Sequence, residues 1–323
     1  MKLLYRIANN KNEVLALYAA FAILIVLNGI LDKNMLKPDR IMILATQAMP
    51  LIMIAMGQTI VMLTGGIDLS VGNVTALMSC IAATVMNENS LGLIGGFVVI
   101  LLSGAVVGLV NGTIITYGKV PAIIVTLAMS FIWLGVALII RPTPGGLVDP
   151  GFVTWYNGGS RTFAGVIFII VPLVLWKYLK TTRFGVSLYA IGDNAAAAFA
   201  NGVPVRKIRV LAYMCAGMCI GLAGIGLAGI TGTGDPNIGA TYTMNAIAAS
   251  VLGGAAFTGG QGQMRGMLIG AMLITSLMNI LFFSGLSPFY QYIVQGFILI
   301  AAISLKTIYD YRKGALVWTL WAK

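Results

Sequence analysis

The sequence contains no histidine and few charged residues, and both shortages exclude whole classes of protein. Without histidine the chain has no imidazole for acid–base catalysis or for metal binding. Charged residues make up 9% of the chain, against roughly 25% in soluble domains, so the chain cannot cover itself with polar surface. Three cysteines, Cys80, Cys215 and Cys219, lie in apolar segments, and we interpret them as small packing residues rather than a disulfide framework.

The sequence also lacks the motifs of enzymes and of nucleotide-binding proteins. It has no GxxxxGK(S/T) phosphate loop, no nucleophile beside a base and no cluster of metal ligands. We therefore predict no catalytic residue, no metal site and no cofactor. If ATP drives this protein, the hydrolysing subunit is a separate chain.

Apolar residues and glycine dominate what is present. Hydrophobic residues make up 59% of the 323 positions, and there are 40 glycines, many of them spaced as GxxxG. In lipid, small residues allow helices to approach closely. The sequence predicts an all-α polytopic membrane protein, a single domain over 1–323 surrounded by lipid, with about ten transmembrane helices. The predicted spans are 13–31, 41–63, 71–86, 91–116, 120–140, 162–180, 210–230, 242–257, 265–283 and 288–305.

The positive charges predict the orientation of these spans. The net charge is +11, but the basic residues are spread among loops rather than gathered on one face, which argues against nucleic acid as a partner. With ten spans and a cytoplasmic N-terminus, 15 of the 20 Lys and Arg residues fall on the cytoplasmic side. This agrees with the positive-inside rule. Both termini, including the basic tail 306–323, are therefore expected in the cytoplasm.

The most informative stretch is 56–73, MGQTIVMLTGGIDLSVGN, where one apolar segment ends and another begins. Two glycines, Gly65 and Gly66, precede a carboxylate, Asp68, and a hydroxyl, Ser70. A broken helix that carries an acid is costly in lipid, which favours a functional interpretation. The alternative is that Asp68 caps the helix 71–86 at the water interface.

A second Gly/Asp break, Gly232 to Pro236, occupies the matching position later in the chain. The spans of 41–140 and of 210–305 then form two four-helix halves that enter the membrane from opposite sides. Interrupted segments at matching positions of inverted halves indicate a transport pathway, whereas the plainer alternative is ordinary loop glycines. The candidate pathway or gate residues are Thr64, Gly65, Gly66, Asp68, Ser70, Asn73 and Asp235.

The cytoplasmic loop 184–209 is neither low in complexity nor uniformly polar. Asp193 or Asn194 can cap a short helix over 195–200. Asn201 and Gly202 then provide a left-handed stop. Exposed alanines and Phe199 would suit a groove on another protein, although the helix could instead pack on this protein's own cytoplasmic face.

Three stretches resemble one family. They are GQTIVMLTGGIDLSVGN (57–73), YAIGDNAAAAFANGVPVRKI (189–208) and NAIAASVLGGAAFTGGQGQMRGMLIGA (245–271). Together they resemble the ribose/xylose-type permease subunits of bacterial ABC importers, over essentially the whole chain. The resemblance implies a permease of the vitamin-B12-importer-like (type II) architecture in the bacterial inner membrane, with no ATP hydrolysis of its own.

The resemblance also implies partners and a coupling role for the cytoplasmic loop. The expected partners are a cytoplasmic ABC ATPase, an extracytoplasmic sugar-binding protein and a second permease copy, in a homodimer or heterodimer. The residues expected to couple to the ATPase are Gly192, Asp193, Asn194, Ala197, Ala198, Phe199 and Gly202. Where relatives commonly carry a glutamate pair and an arginine, this chain has Ala195, Ala196 and Phe199, which removes charges from the docking surface. Asp193 replaces a frequent glycine.

The expected function is therefore to form the translocation pathway for a ribose-like monosaccharide. Other ABC cargoes, namely autoinducer-2, a polyol or a nucleoside, fit the same scaffold. An ion-coupled secondary transporter that uses Asp68 and Asp235 is a less favoured alternative, and a membrane enzyme is the least favoured.

Overall fold

The computed structural model describes residues 11–31, 37–87, 91–158, 161 and 163–285, with isolated positions beyond. Within these ranges the chain forms eleven helices, and its one β-type pairing is an isolated bridge between Gly145 and Gly234. The helices are α1 (Lys11–Leu31), α2 (Pro38–Leu63), α3 (Val71–Val85), α4 (Gly92–Gly118), α5 (Ala122–Ile140), α6 (Pro150–Tyr156), α7 (Ala164–Leu179), α8 (Arg183–Ala200), α9 (Val205–Thr231), α10 (Tyr242–Leu252) and α11 (Met264–Phe283).

Five of these helices, α2, α4, α5, α9 and α11, are long and apolar enough to cross a membrane. They correspond to predicted spans, with ends that agree within a few residues. A sixth candidate is α7 with α8, which meet at a bend of 79°. The predicted last span, 288–305, and the tail, 306–323, lie outside the described residues apart from isolated positions.

Two predicted spans are short for a membrane crossing, although α3 agrees with its predicted range, 71–86, to within one residue. Helices α3 and α10 contain 15 and 11 residues, which at 1.5 Å per residue gives about 22 Å and 16 Å against a hydrocarbon thickness of about 30 Å. The prediction of a span over 242–257 is wrong at its end, because the helix stops at Leu252. Gly253 follows, then Gly254 at φ +93°, which turns the chain away.

The core forms where α2 and α9 pack side by side in opposite directions. Gly57 of α2 lies against Ala216, whereas Met49, two turns earlier in α2, lies against Gly226, near the end of α9. The first break, residues 65–68 at the end of α2, therefore lies beside the start of α9.

Helix α4 packs on α9 through glycine, as the GxxxG spacing predicts. A Cβ on Gly104 would overlap the carbonyl oxygen of Gly217, and a Cβ on Gly108 would overlap that of Tyr213. Backbone therefore meets backbone along this pair. These positions tolerate no side chain.

Candidate functional site

The first break is stabilised by its own backbone and by α9. Helix α2 ends at Thr64, whose hydroxyl donates to the carbonyl of Val61 at 2.8 Å. Gly65 follows with φ +79°, a left-handed conformation that ends the helix without steric cost. Gly66 is buried against Tyr213. The predicted glycine pair thus turns the chain back into the protein.

Asp68 lies inside the protein, not at its surface. Its carboxylate, 4% exposed, accepts hydrogen bonds from the backbone amide of Ser70 at 2.8 Å and from the Ser70 hydroxyl at 2.6 Å. The Asn111 amide donates to the same hydroxyl at 3.0 Å, and the Trp133 indole donates to Asn111 at 3.2 Å. The alternative of an interfacial cap does not fit, since the carboxylate is buried.

Helix α5 holds the other side of the same segment. The Thr126 hydroxyl accepts from the amide of Leu69 at 3.0 Å, and the Asn73 amide donates to the Ser130 hydroxyl at 2.8 Å. Sequence reasoning singled out Asn73 but missed Thr126 and Ser130. These partners lie 57 residues apart, and only the fold brings them together.

The second break repeats the local geometry of the first. Gly232 caps α9 at φ +71°, and three residues later the Asp235 carboxylate accepts from the amide of Asn237 at 2.8 Å. In the first break, Asp68 likewise follows Gly65 by three residues and accepts the amide two positions on. The two breaks thus share one glycine-to-aspartate spacing and one turn.

Helix α3 joins the two breaks. At the start of α3, Gly72 lies so close to Gly239 that a Cβ on either residue would overlap the other residue. The amide of Gly72 also donates to the hydroxyl of Thr243 in α10 at 3.1 Å. Farther along, Ser79 lies 3.4 Å from the backbone nitrogen of Asp235. Asp235 is therefore about 13 Å along α3 from Ser70, and the predicted pathway residues form two groups rather than one.

Helices α3 and α10 begin next to each other and extend in different directions. Helix α3 leads to Met86, whose carbonyl accepts from the amide of Asp149 at 2.7 Å. Helix α10 leads instead to Ser250, whose hydroxyl donates to Ala55 of α2. Two half-length helices thus meet at their N-termini.

The long connection after α5 covers the second break. Gly145 exchanges backbone hydrogen bonds with Gly234 at 2.9 Å, and Val148 donates to the carbonyl of Gly232 at 3.0 Å. Helix α6, capped by Asp149, packs its aromatic residues against α7. This connection is therefore a folded cover over the second break.

Helix α8 differs from the predicted loop. The chain is helical over Arg183–Ala200, with a kink at Asn194, and α9 begins at Val205 rather than at 210. Leu188 and Ile191 are buried, so the missed part is an amphipathic helix. The cap and stop are confirmed, since Asn194 accepts from the amide of Ala197 at 2.9 Å and Gly202 has φ +81°.

The predicted coupling residues of α8 face two directions. Phe199 is 73% exposed, and Asp193, Asn194, Ala197 and Gly202 are also on the surface. Ala198 is only 6% exposed, and Gly192 is packed against other segments of this chain. Ala198 and Gly192 are therefore placed to contact this chain rather than a separate protein.

Gly192 belongs to a contact that we call the glycine junction, formed by Gly65, Gly192, Gly259 and Gly260. A Cβ on Gly192 would overlap the carbonyl oxygen of Leu63 and the amide of Gly260. That amide donates to the same carbonyl at 3.1 Å. A Cβ on Gly259 would lie 2.8 Å from both Gly192 Cα and Gly65 N. Helix α8, the first break and the α10–α11 connection thus touch through backbone atoms.

Tyr189 reinforces the same contact. Its hydroxyl donates to the carbonyl of Gly262 in the α10–α11 connection at 3.1 Å.

Membership of a family follows from comparison with known proteins. A family model described as "Branched-chain amino acid transport system / permease component" matches residues 40–303. This range includes both breaks, α8 and the long connection. The chain belongs to this family of membrane permease components.

The similar curated proteins are sugar permeases. The chain is 36% identical to the ribose import permease protein RbsC of Bacillus subtilis, over 91% of each chain. It is 34% identical to RbsC of Escherichia coli K12, over 88% of this chain and 90% of the relative. It is 33% identical to the galactose/methyl galactoside import permease protein MglC of Haemophilus influenzae, over 94% of this chain and 98% of the relative. No solved structure matches.

Proposed function

We propose that this chain forms the membrane pathway for a monosaccharide in an ATP-driven importer. The observation that carries the proposal is the similarity, over nine-tenths of the chain, to permeases named for ribose and galactose import. These relatives favour a sugar over autoinducer-2, a polyol or a nucleoside. In this role the chain binds no nucleotide, and the ATP is hydrolysed by a cytoplasmic ABC ATPase.

The two breaks support a pathway through the region around α3 and α10. Their shared geometry, Gly65 to Asp68 and Gly232 to Asp235, is what two inverted halves of a ten-helix, type II permease would produce. The pathway or gate would include the predicted residues of both groups. Asp68 and Ser70 would act by holding the first break in place. A second permease copy would complete the pathway, and both termini would lie in the cytoplasm.

Each break touches a segment suited to a different partner. The first break meets α8 at the glycine junction, and the second is covered by the connection that carries α6. We assign α8 to the ATPase and the α6 connection to an extracytoplasmic sugar-binding protein. Movement of either partner would then reach a break directly.

Docking on α8 can be tested with Ala197→Asp. Ala197 is exposed and faces away from the glycine junction, so the new carboxylate would place a charge on the docking surface without disturbing the permease. We expect the wild-type chain to co-purify with its ATPase and Ala197→Asp to lose it. Ala197→Ser is the neutral control and should retain it.

Two further outcomes decide against the proposal. If the wild-type chain, Ala197→Asp and Ala197→Ser all capture the same amount of ATPase, α8 is not the docking site. Absence of ATPase from every preparation, together with sugar uptake driven by an ion gradient in reconstituted vesicles, would favour the secondary transporter.

A further inference from the structure

An open groove lies between the end of α7, the start of α8 and one face of α9. Its volume is about 760 Å³, within the range of small-molecule sites, roughly 300–1,000 Å³. Apolar side chains form most of its wall, namely Leu179, Val186, Val203, Ile208, Leu211 and Cys215. The last three share one face of α9 and extend over about 10 Å of the helix.

The groove begins at the membrane surface and continues into the membrane. Helix α9 is long and apolar enough to cross, and α7 belongs to the bent candidate span. Three apolar residues of the wall, Leu179, Val186 and Leu211, are 39%, 59% and 42% exposed. Tyr178 is also exposed beside them, and tyrosine is enriched at the level of the lipid head groups. The groove is therefore open to lipid.

Basic residues surround the surface end of the groove. Arg183 lines it, Lys180 falls between two lining residues, and Lys207 lies one turn before Leu211 on the same side of α9. All three basic side chains are exposed. The segment 164–211 contains six Lys and Arg residues but a single acid, Asp193. Asp193 lies ten residues beyond Arg183 along α8, about 15 Å away, so the groove entrance is positively charged.

This charge distinguishes among the possible occupants. The tail 306–323 carries four basic residues and one acid, so it would be repelled. A soluble ATPase would not reach Cys215, ten residues or about 15 Å into the membrane helix α9. A free phosphate would leave the apolar wall uncovered. An anionic phospholipid matches both the basic entrance and the apolar wall.

We propose that this groove binds an anionic phospholipid. An acyl chain lies along the α9 face that carries Ile208, Leu211 and Cys215, and the phosphate lies among Lys180, Arg183 and Lys207. Basic residues at the cytoplasmic surface of a membrane attract anionic lipids, and an arginine can hold a phosphate through two hydrogen bonds. The inference is independent of the proposed cargo, because it requires only that the chain lies in a membrane.

The first test measures which lipid the protein retains. The full chain is purified in detergent, mixed with equal concentrations of dioleoylphosphatidylglycerol and dioleoylphosphatidylcholine, and examined by native mass spectrometry. We expect the anionic lipid to be retained about tenfold more than the zwitterionic lipid. In the triple variant Lys180→Gln, Arg183→Gln and Lys207→Gln, the preference should fall to within about twofold.

A matched triple variant controls for the loss of charge. Lys37→Gln, Lys119→Gln and Arg265→Gln remove the same charge from exposed positions outside the groove, and the preference should stay at the wild-type level. The proposal is overturned if wild type retains both lipids equally, or if the two triple variants lose the preference to the same extent.

A second pair of variants tests the apolar wall. Val186→Glu places a carboxylate inside the groove, and we expect it to abolish retention of the anionic lipid. Ala196→Glu places the same charge on an exposed position of α8 that does not line the groove, and retention should be unchanged. Equal retention by both variants would contradict the assignment.

Three further measurements identify a different occupant. Inorganic phosphate at the same concentration should not raise the melting temperature, whereas phosphatidylglycerol should; equal stabilisation would mean a small-anion site only. The lipid should remain bound when the ATPase co-purifies, and it should be retained by dimers as well as monomers. If the ATPase or a second copy expels the lipid, the groove is a protein interface and the proposal is wrong.

Discussion

Asp68 and Ser70 hold each other in position. Both hydrogen bonds to its carboxylate come from Ser70, whose hydroxyl is also bonded by Asn111. The carboxylate therefore fixes the turn. In the proposed importer only its capacity to accept hydrogen bonds would be required, whereas an ion-coupled transporter would require its charge.

Asparagine should replace Asp68 with little loss, whereas alanine should not. Asp68→Asn keeps an oxygen that can accept both bonds from Ser70, so we expect at least half of the wild-type sugar uptake. Asp68→Ala leaves a buried amide and hydroxyl unpaired, at a cost of about 1–3 kcal/mol. Thermal unfolding in detergent and uptake in proteoliposomes measure the two effects.

A different result would change the assignment. If Asp68→Asn unfolds like wild type but abolishes uptake, the negative charge is required, as an ion-coupled mechanism demands. Asp235→Asn extends the test to the second break, because Asp235 accepts the equivalent amide there and is the other acid that an ion-coupled transporter would use.

The network around Asp68 shows what sequence could and could not predict about single residues. Gly65, Gly66 and Asp68 stand out locally, since a glycine pair and an acid interrupt an apolar run. Asn111 and Trp133 do not, because each is one residue within a long apolar span. Their importance depends on partners that only folding brings near.

At the scale of elements, the glycine junction joins α8 to the end of α2 without side chains between them. Backbone atoms in contact cannot move aside as the end of a flexible side chain can. A displacement of α8 would therefore be transmitted to the first break rather than absorbed. In the proposed importer, this contact would couple ATP hydrolysis to the pathway.

Gly192→Ala should uncouple ATPase and transport. The added methyl group would overlap the carbonyl of Leu63 and the amide of Gly260 and separate α8 from the break. Because Gly192 faces the permease, we expect normal ATPase capture but about tenfold lower ATP-driven uptake, equivalent to roughly 1.4 kcal/mol.

The control for this substitution is Gly135→Ala. Nothing lies within 4 Å of a Cβ at Gly135, and in a helix alanine is more favourable than glycine by roughly 0.5–1 kcal/mol. Uptake by Gly135→Ala should equal wild type. Normal uptake by Gly192→Ala as well would show that the junction carries no coupling.

The contact between α4 and α9 should be equally intolerant of added volume. Gly104→Ala would force the Gly104–Gly217 backbone contact apart, and overpacking of this kind costs about 1–3 kcal/mol. We expect a lower melting temperature for Gly104→Ala than for Gly135→Ala. Equal melting temperatures would mean that the helices separate at no cost.

Long spans could be predicted from sequence, whereas helix ends and short helices were harder. Helices α4 and α5 are long, mostly apolar and free of charged residues, so composition and length suffice. The end of α10 at Leu252 was missed because small apolar residues continue beyond Gly254. The first half of α8 was missed because its glycines and polar residues are typical of a loop, although Leu188 and Ile191 have the spacing of a buried helix face.

At the scale of the whole molecule, the two partner surfaces should lie on opposite sides of the membrane. Helix α8 lies at the end of α2 where α9 begins, and the α6 connection lies where α9 ends. The positive-inside pattern predicts that the α8 side faces the cytoplasm.

Labelling from one side can test this orientation. In a chain without native cysteines, Trp155→Cys in α6 should react with an impermeant maleimide added outside intact cells. Ala197→Cys in α8 should react only after the membrane is opened, since both side chains are at the surface in this structure. The reverse pattern would invert the topology.

The meeting of α3 and α10 at their first turns has an electrical consequence. The N-terminus of a helix carries a partial positive charge of roughly half an elementary charge, so two such ends placed together would offset about one negative charge, which is the charge that an ionised Asp68 brings to the start of α3. The region where the two helices meet would then be close to neutral. In the proposed importer, an uncharged sugar could pass such a region, while neither cations nor anions would be drawn to it.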